Sequence, residues 1–130
     1  MKKTGFHNSD RADMRHIFNW GLKISDFQEL FLVTGHGHGG YSGDPIEQTK
    51  AIQKDQLKII EEAGFSINDI IRTEWTFVKS VTDQEAEEIT KLWAEFLKDV
   101  HPKPAAGTLR YVDRLASPSM KVEFELLLAR

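Results

Sequence analysis

The chain has 130 residues, 17 Lys and Arg against 20 Asp and Glu, no cysteine and a formal net charge of -3. That length builds one domain with a real core but not two, the absent cysteines exclude disulfides, thiolate nucleophiles and cysteine-rich zinc sites, and the interspersed, slightly negative charge argues against a generic phosphate-binding surface. No stretch approaches the roughly 20 apolar residues that span a bilayer, and Met1-Lys2-Lys3-Thr4-Gly5 lacks the apolar core of a signal peptide, so no membrane partner and a cytoplasmic location are expected.

In chain order, residues 1–15 read as a polar segment of the 1–130 domain, loosely ordered or lying along a neighbouring subunit. From Ile17 to Ile24 apolar positions mix with Asn19 and Lys23, and Ser25-Asp26 marks a turn into the next strand, which predicts a hairpin. That next strand is the run Leu30-Phe31-Leu32-Val33, apolar at four successive positions and therefore expected to be covered on both faces. It stops in Thr34-Gly35-His36-Gly37-His38-Gly39-Gly40, a glycine-rich loop with two histidines where a pocket is expected.

Asp44-Pro45-Ile46-Glu47 has an acceptor at the cap, proline in the first turn and a carboxylate three residues after the cap, so a helix should start here and stop at Gly64. Ile46, Ile52, Leu57, Ile60 and Ala63 form its apolar side. A strand over 70–78 follows, rich in Ile, Thr, Trp, Phe and Val. Thr82-Asp83-Gln84-Glu85 is a second capping box, with Ala86, Ile89, Trp93, Phe96 and Val100 at helical spacing before His101-Pro102-Lys103-Pro104 ends the helix. Two closing strands are predicted, over 108–115 and over 122–128, the latter alternating Val122, Phe124, Leu126 and Leu128 with Glu123 and Glu125.

Several stretches together resemble the reactive intermediate deaminases, the Rid or YjgF-like family also described as L-PSP endoribonucleases. They are Leu30 to Gly35, Gln48, Glu61-Glu62-Ala63-Gly64, Ile70-Ile71-Arg72-Thr73, Arg114-Leu115 and Lys121-Val122-Glu123-Phe124-Glu125. The resemblance implies an α+β, chorismate-mutase-like fold, a mixed sheet backed by two helices, assembled as a homotrimeric barrel. It further implies a small-molecule pocket at each subunit interface that hydrolyses enamines or imines without a cofactor.

Carried over residue by residue, the family's serine falls on Thr34, its tyrosine on Phe18, its asparagine on Thr90 and its glutamate on Glu123. The arginine that holds the substrate carboxylate falls on Gly107, which has no side chain to do so. Arg110 is three residues on, with opposite strand parity, and can replace it only if a bulge changes the register. The catalytic candidates are Glu123 as base or water holder, Thr34 as donor and His36 as acid/base group. The substrate-binding candidates are Phe18, Thr90, Gly107 and Arg110. Each has a plainer reading: a solvated sheet carboxylate, a β-branched strand residue, a loop histidine.

His36-Gly37-His38 also has metal-ligand spacing, but its only candidate third ligands are Asp44 and His16, so no metal is assigned. Trp20, Trp75 and Trp93 read as core or interface residues, and nucleic acid is the least favoured partner. A metabolite-binding or regulatory trimer without turnover stands beside the deaminase reading, and an endoribonuclease ranks last.

Overall fold

The computed structural model describes residues 1–130. Its elements are β1 (Lys2–Phe6), β2 (Gly21–Ser25), β3 (Leu30–Gly37), α1 (Pro45–Glu62), β4 (Ile70–Val78), α2 (Asp83–Phe96), β5 (Ala105–Ala106), β6 (Arg110–Val112) and β7 (Val122–Ala129). The helices begin where their caps predict. Asp44 accepts from the Ile46 and Glu47 amides with Pro45 in the first turn, and Thr82 and Glu85 satisfy one another's backbone N–H. α1 ends at the Ala63 cap, and Gly64 then takes the left-handed conformation, φ +80°, that a residue without Cβ adopts freely.

The main sheet runs β3-β7-β4-β5, with β6 pairing on β4 beyond β5. β7, last in sequence, inserts between β3 and β4 and is antiparallel to both, so those two strands are parallel and α1 makes the connection between them. β5 and β6 run parallel to β4 and form the far edge. The result is an α+β mixed sheet backed by two helices.

Alternation on β7 sorts the two faces. Val122, Phe124, Leu126 and Leu128 are buried in one cluster with Val33, Phe77, Ile52 and Ile60 of α1, and Ile89 and Trp93 of α2. Trp93 is wholly buried, with ring centres 5.1 Å from Phe124 and 6.1 Å from Trp75, so truncating it to alanine would cost about 3–5 kcal/mol. Two of the three buried glutamines of α1, missed by the apolar pattern, hold backbone instead of filling space. Gln48 donates to the Gly40 and Ser119 carbonyls and accepts from the Lys121 amide, and Gln56 donates to the Phe124 carbonyl. The Phe124 carbonyl is buried and the three groups held by Gln48 are partly so, which is why amide side chains serve them there.

Five expectations are corrected. The first residues are not loosely ordered: Lys2 to Phe6 pair with β2 in a separate two-stranded ribbon, which polar residues can build because backbone groups make the ladder. β2 does not form a hairpin with β3, because the Gln28 and Glu29 amides donate to the Arg130 carbonyl and the chain is drawn to its own C-terminus. β3 is not covered on both faces in the protomer, since Leu30 is 50% and Leu32 73% exposed, and it continues as strand to Gly37. α2 ends at Phe96, before the prolines; the buried Lys103 ammonium then caps the turn by donating to the Lys98 and Val100 carbonyls. The strand expected over 108–115 is two short pieces, interrupted at Gly107, whose amide donates to the Thr73 carbonyl at 2.7 Å.

Candidate functional site

The face of the sheet turned away from the helices carries the residues between the buried ones: Glu123, Glu125 and Leu127. Register supplies their neighbours. Glu123 lies between Gly37 of β3 and Thr76 of β4, and Thr76 in turn faces Arg110 of β6. Glu125 faces Glu74, and Leu127 lies between Leu32 and Arg72. Adjacent strands are about 4.8 Å apart, so the Glu123 and Arg110 backbones stand about 10 Å apart across Thr76, room for a small molecule between their side chains.

Glu74 organises the positive side of this face. One of its carboxylate oxygens accepts from Arg110 at 2.8 Å and lies 3.8 Å from the Arg72 guanidinium. Its side chain is 16% exposed while both arginines are about half exposed, so a shielded carboxylate holds two accessible cations in place. Glu123, by contrast, is partly buried, and its carboxylate has no hydrogen-bond or ion-pair partner within the chain. Its space comes from Gly35, where a Cβ would sit 3.1 Å from the Glu123 carboxyl carbon. Gly35 is in a β-bulge: Thr34 and Gly35 together oppose the single residue Glu125.

A second bulge settles where Arg110 stands. Thr73 pairs with Ala106 but Thr76 with Arg110, so three steps on β4 match four on the edge strand. That extra residue restores the parity that plain alternation denies, and Arg110 reaches the face that carries Glu74 and Glu123. Gly107 belongs to the same surroundings, because a Cβ on it would meet Glu74 Cγ at 3.0 Å and Arg72 Nη2 at 3.1 Å. The space beside Gly107 is thus filled by the Arg72–Glu74 pair.

On the other side of Gly107 lies a cavity of about 340 Å³. It is lined by Phe18, Trp20, Trp75, Thr90, Gly107 and Leu109 among others, which brings together three of the four substrate-binding candidates. Phe18 stacks edge-on against Trp20 at 5.4 Å, and the Thr90 hydroxyl donates to the Ala86 carbonyl of its own helix. The catalytic candidates are not gathered in the same way. Thr34 is exposed in its bulge, and His36 pairs with Phe124, outside the Glu123 row, with its Nδ1–H donated to the Thr34 carbonyl at 2.6 Å. His38 Nδ1 accepts from the Gly40 amide, and Asp44 caps α1, so the histidine pair and its possible third ligand serve local structure. No group of three or more metal-binding side chains is assembled, and no helix is long and apolar enough to cross a membrane.

Arg72, Glu74 and Thr76 are absent from the sequence-derived site. Their signal was present in the polar parity of Arg72-Thr73-Glu74-Trp75-Thr76, hidden by reading β4 only as an apolar strand.

Residues 30–129 match the family described as Endoribonuclease L-PSP. Among solved structures, the chain is similar to a Rid-family protein of unknown function from Yersinia pestis, at 16% identity and a TM-score of 0.85 with all of both chains covered. It is similar to a YjgF-family protein from Mycobacterium tuberculosis at 18% identity and TM-score 0.63, covering 99% of this chain and 100% of that one. A YjgF-family protein from Neisseria meningitidis gives 16% identity and TM-score 0.63, with 100% and 96% covered. Identities this low speak for the fold, and no curated protein matches the chain. The family match, however, runs from the first residue of β3 to the last of β7. The chain therefore belongs to the L-PSP endoribonuclease family, the group of Rid and YjgF-like proteins.

Proposed function

We propose that the protein is a cofactor-independent hydrolase of reactive imines or enamines, acting as a homotrimer whose interface covers the open face of the sheet. The observation that carries the reading is the unpartnered Glu123 carboxylate set across Thr76 from Arg110. Hydrolysis of an imine requires water to add to the carbon of C=N while a base takes one water proton and the nitrogen gains one; the carbinolamine then collapses to a carbonyl and ammonia. Glu123 is the base that holds the water. Arg110, positioned by Glu74, holds an anionic group of the substrate. The exposed Leu30 and Leu32 support assembly, because apolar residues on an open sheet face favour burial against another copy.

The test is Glu123→Gln assayed on imines generated in situ by an amino-acid oxidase. Removing a general base should lower kcat about 100-fold or more while the urea unfolding curve stays in place. Equal turnover by the variant would sink the catalytic assignment.

One observation favours the second reading, a metabolite-binding or regulatory trimer. Phe18 has no hydroxyl and Thr90 has already donated its own, so neither offers a free donor to a reacting group. A ribonuclease is disfavoured by the open face itself, where Glu74, Glu123 and Glu125 outnumber Arg72 and Arg110 and would repel a polyanion.

A further inference from the structure

We infer that the cavity beside Gly107 is a specificity pocket for an aromatic ring of bicyclic size, and that the substrate is an imine or enamine bearing such a group. The ring selectivity stands on the cavity alone; its use in turnover rests on the hydrolase reading above.

The volume is the first observation. An apolar cavity of roughly 150 Å³ binds benzene. At about 340 Å³, this one is more than twice that size and exceeds what a short aliphatic side chain would fill. The chemistry of the wall is the second. Met14, Ile17, Phe18, Trp20, Trp75 and Leu109 supply apolar and aromatic surface, and no charged residue contributes. The polar groups are mostly committed: the Trp20 indole donates to the Ala12 carbonyl, the Asn19 amide to the Lys103 carbonyl, and Thr90 to Ala86. The Trp75 indole N–H is the buried donor of this wall left without a partner. Such a wall binds a ring by edge and face contacts and disfavours a charged side chain, which would lose its water without compensation.

Position is the third observation. Gly107 lines the cavity and also abuts Glu74 and Arg72, so it sits where the apolar chamber meets the charged face. Leu109 lines the chamber, and the next residue, Arg110, joins Glu74. A ring held between Trp20, Trp75 and Leu109 lies on the helix-packed side of β4, and a polar head carried round the sheet edge past Gly107 is directed toward Arg110.

The probe is indole, titrated into the full-length protein and followed by calorimetry and by NMR of the tryptophan side chains. Saturable binding that shifts Trp20 and Trp75 is expected, weakened at least tenfold in Ala106→Phe, which fills the chamber. Leu109→Trp, at another exposed wall position, is the second filling variant should Ala106→Phe fail to fold. In the enzymatic arm, the imine of tryptophan should exceed that of alanine by at least tenfold in kcat/KM, and the filling variant should bring that ratio toward one. Absence of saturable indole binding overturns the inference, whether the chamber is closed or taken by a side chain of a second copy; Glu123-dependent hydrolysis of small imines would then leave the proposed function standing. Indole binding that both filling variants leave unchanged also overturns it. Indole binding lost on filling, with no turnover of any imine, supports the ring pocket and overturns the hydrolase reading instead.

Discussion

Gly107→Ala tests whether the site's geometry depends on a missing side chain. The new methyl would lie 3.0 Å from Glu74 Cγ and 3.1 Å from both Glu74 Cδ and Arg72 Nη2, closer than carbon atoms normally pack. Glu74 must shift, and it is tethered to Arg110 at 2.8 Å. Overpacking of this kind costs about 1–3 kcal/mol. Against it stands about 0.4–1 kcal/mol gained because alanine restricts the unfolded chain more than glycine does. The net is a loss of about 1 kcal/mol, or a Tm lower by roughly 3–5 °C in a domain of this size. In a Glu74→Ala background the crowded carbons are gone and only the end of the Arg72 side chain remains, which can swing aside. There the same Gly107→Ala change should stabilise by about 0.4–1 kcal/mol. Urea unfolding of the four proteins gives the cycle, with equal m-values as the check that the unfolded state is the same. If Gly107→Ala has the same effect in both backgrounds, the Glu74 side chain does not occupy the space at Gly107 and the account of the charged face fails.

Lys103→Met should destabilise by about 2 kcal/mol at neutral pH, because the Lys98 and Val100 carbonyls lose a charge-assisted donor. Burial holds the Lys103 ammonium below its ordinary value of 10.5, so between its folded pKa and 10.5 the unfolded chain binds more protons and stability rises with pH. The wild-type advantage over Lys103→Met should therefore widen as pH climbs through that window, and a constant difference would refute the assignment. Leu32→Asp, at an apolar position 73% exposed on the open face, should convert the proposed trimer to monomer in light scattering; a wild-type monomer at micromolar concentration would remove the interface.

What was legible in the sequence depended on how local the determinant was. Caps are local, and Asp44, Thr82 and Glu85 placed both helix starts to the residue. Period-two alternation is local, and it placed β7 with its faces correctly assigned. Pairing is not local. Nothing near Ser25 says that β2 will return to β1, or that Gln28 and Glu29 will bond Arg130 at the far end of the chain. The continuous apolar run of β3 was equally ambiguous, since apolar residues facing a helix and apolar residues facing open surface read alike. The backbone-holding roles of Gln48 and Gln56 were invisible for a related reason: their partners are backbone groups on β7 and its approach, and side-chain patterns carry no record of backbone needs.

The site divides along the same line. Glu123 could be named because the resemblance places the family's glutamate there, and alternation agrees by putting it on the face opposite Phe124. Arg110 depended on a bulge, and one extra residue between Ala106 and Arg110 exchanges the two faces of an edge strand without leaving a reliable mark in composition. Gly107 looked like the loss of a side chain when considered by itself. In the fold it is a consequence of its neighbours, because Glu74 and Arg72 fill the space a Cβ would need, and Arg110 joins the same carboxylate. A glycine in a strand can mark close approach by another group. The arginine absent from one position and the two arginines present on the same face are thus one arrangement, and a reading that follows single positions along the chain sees only the absence.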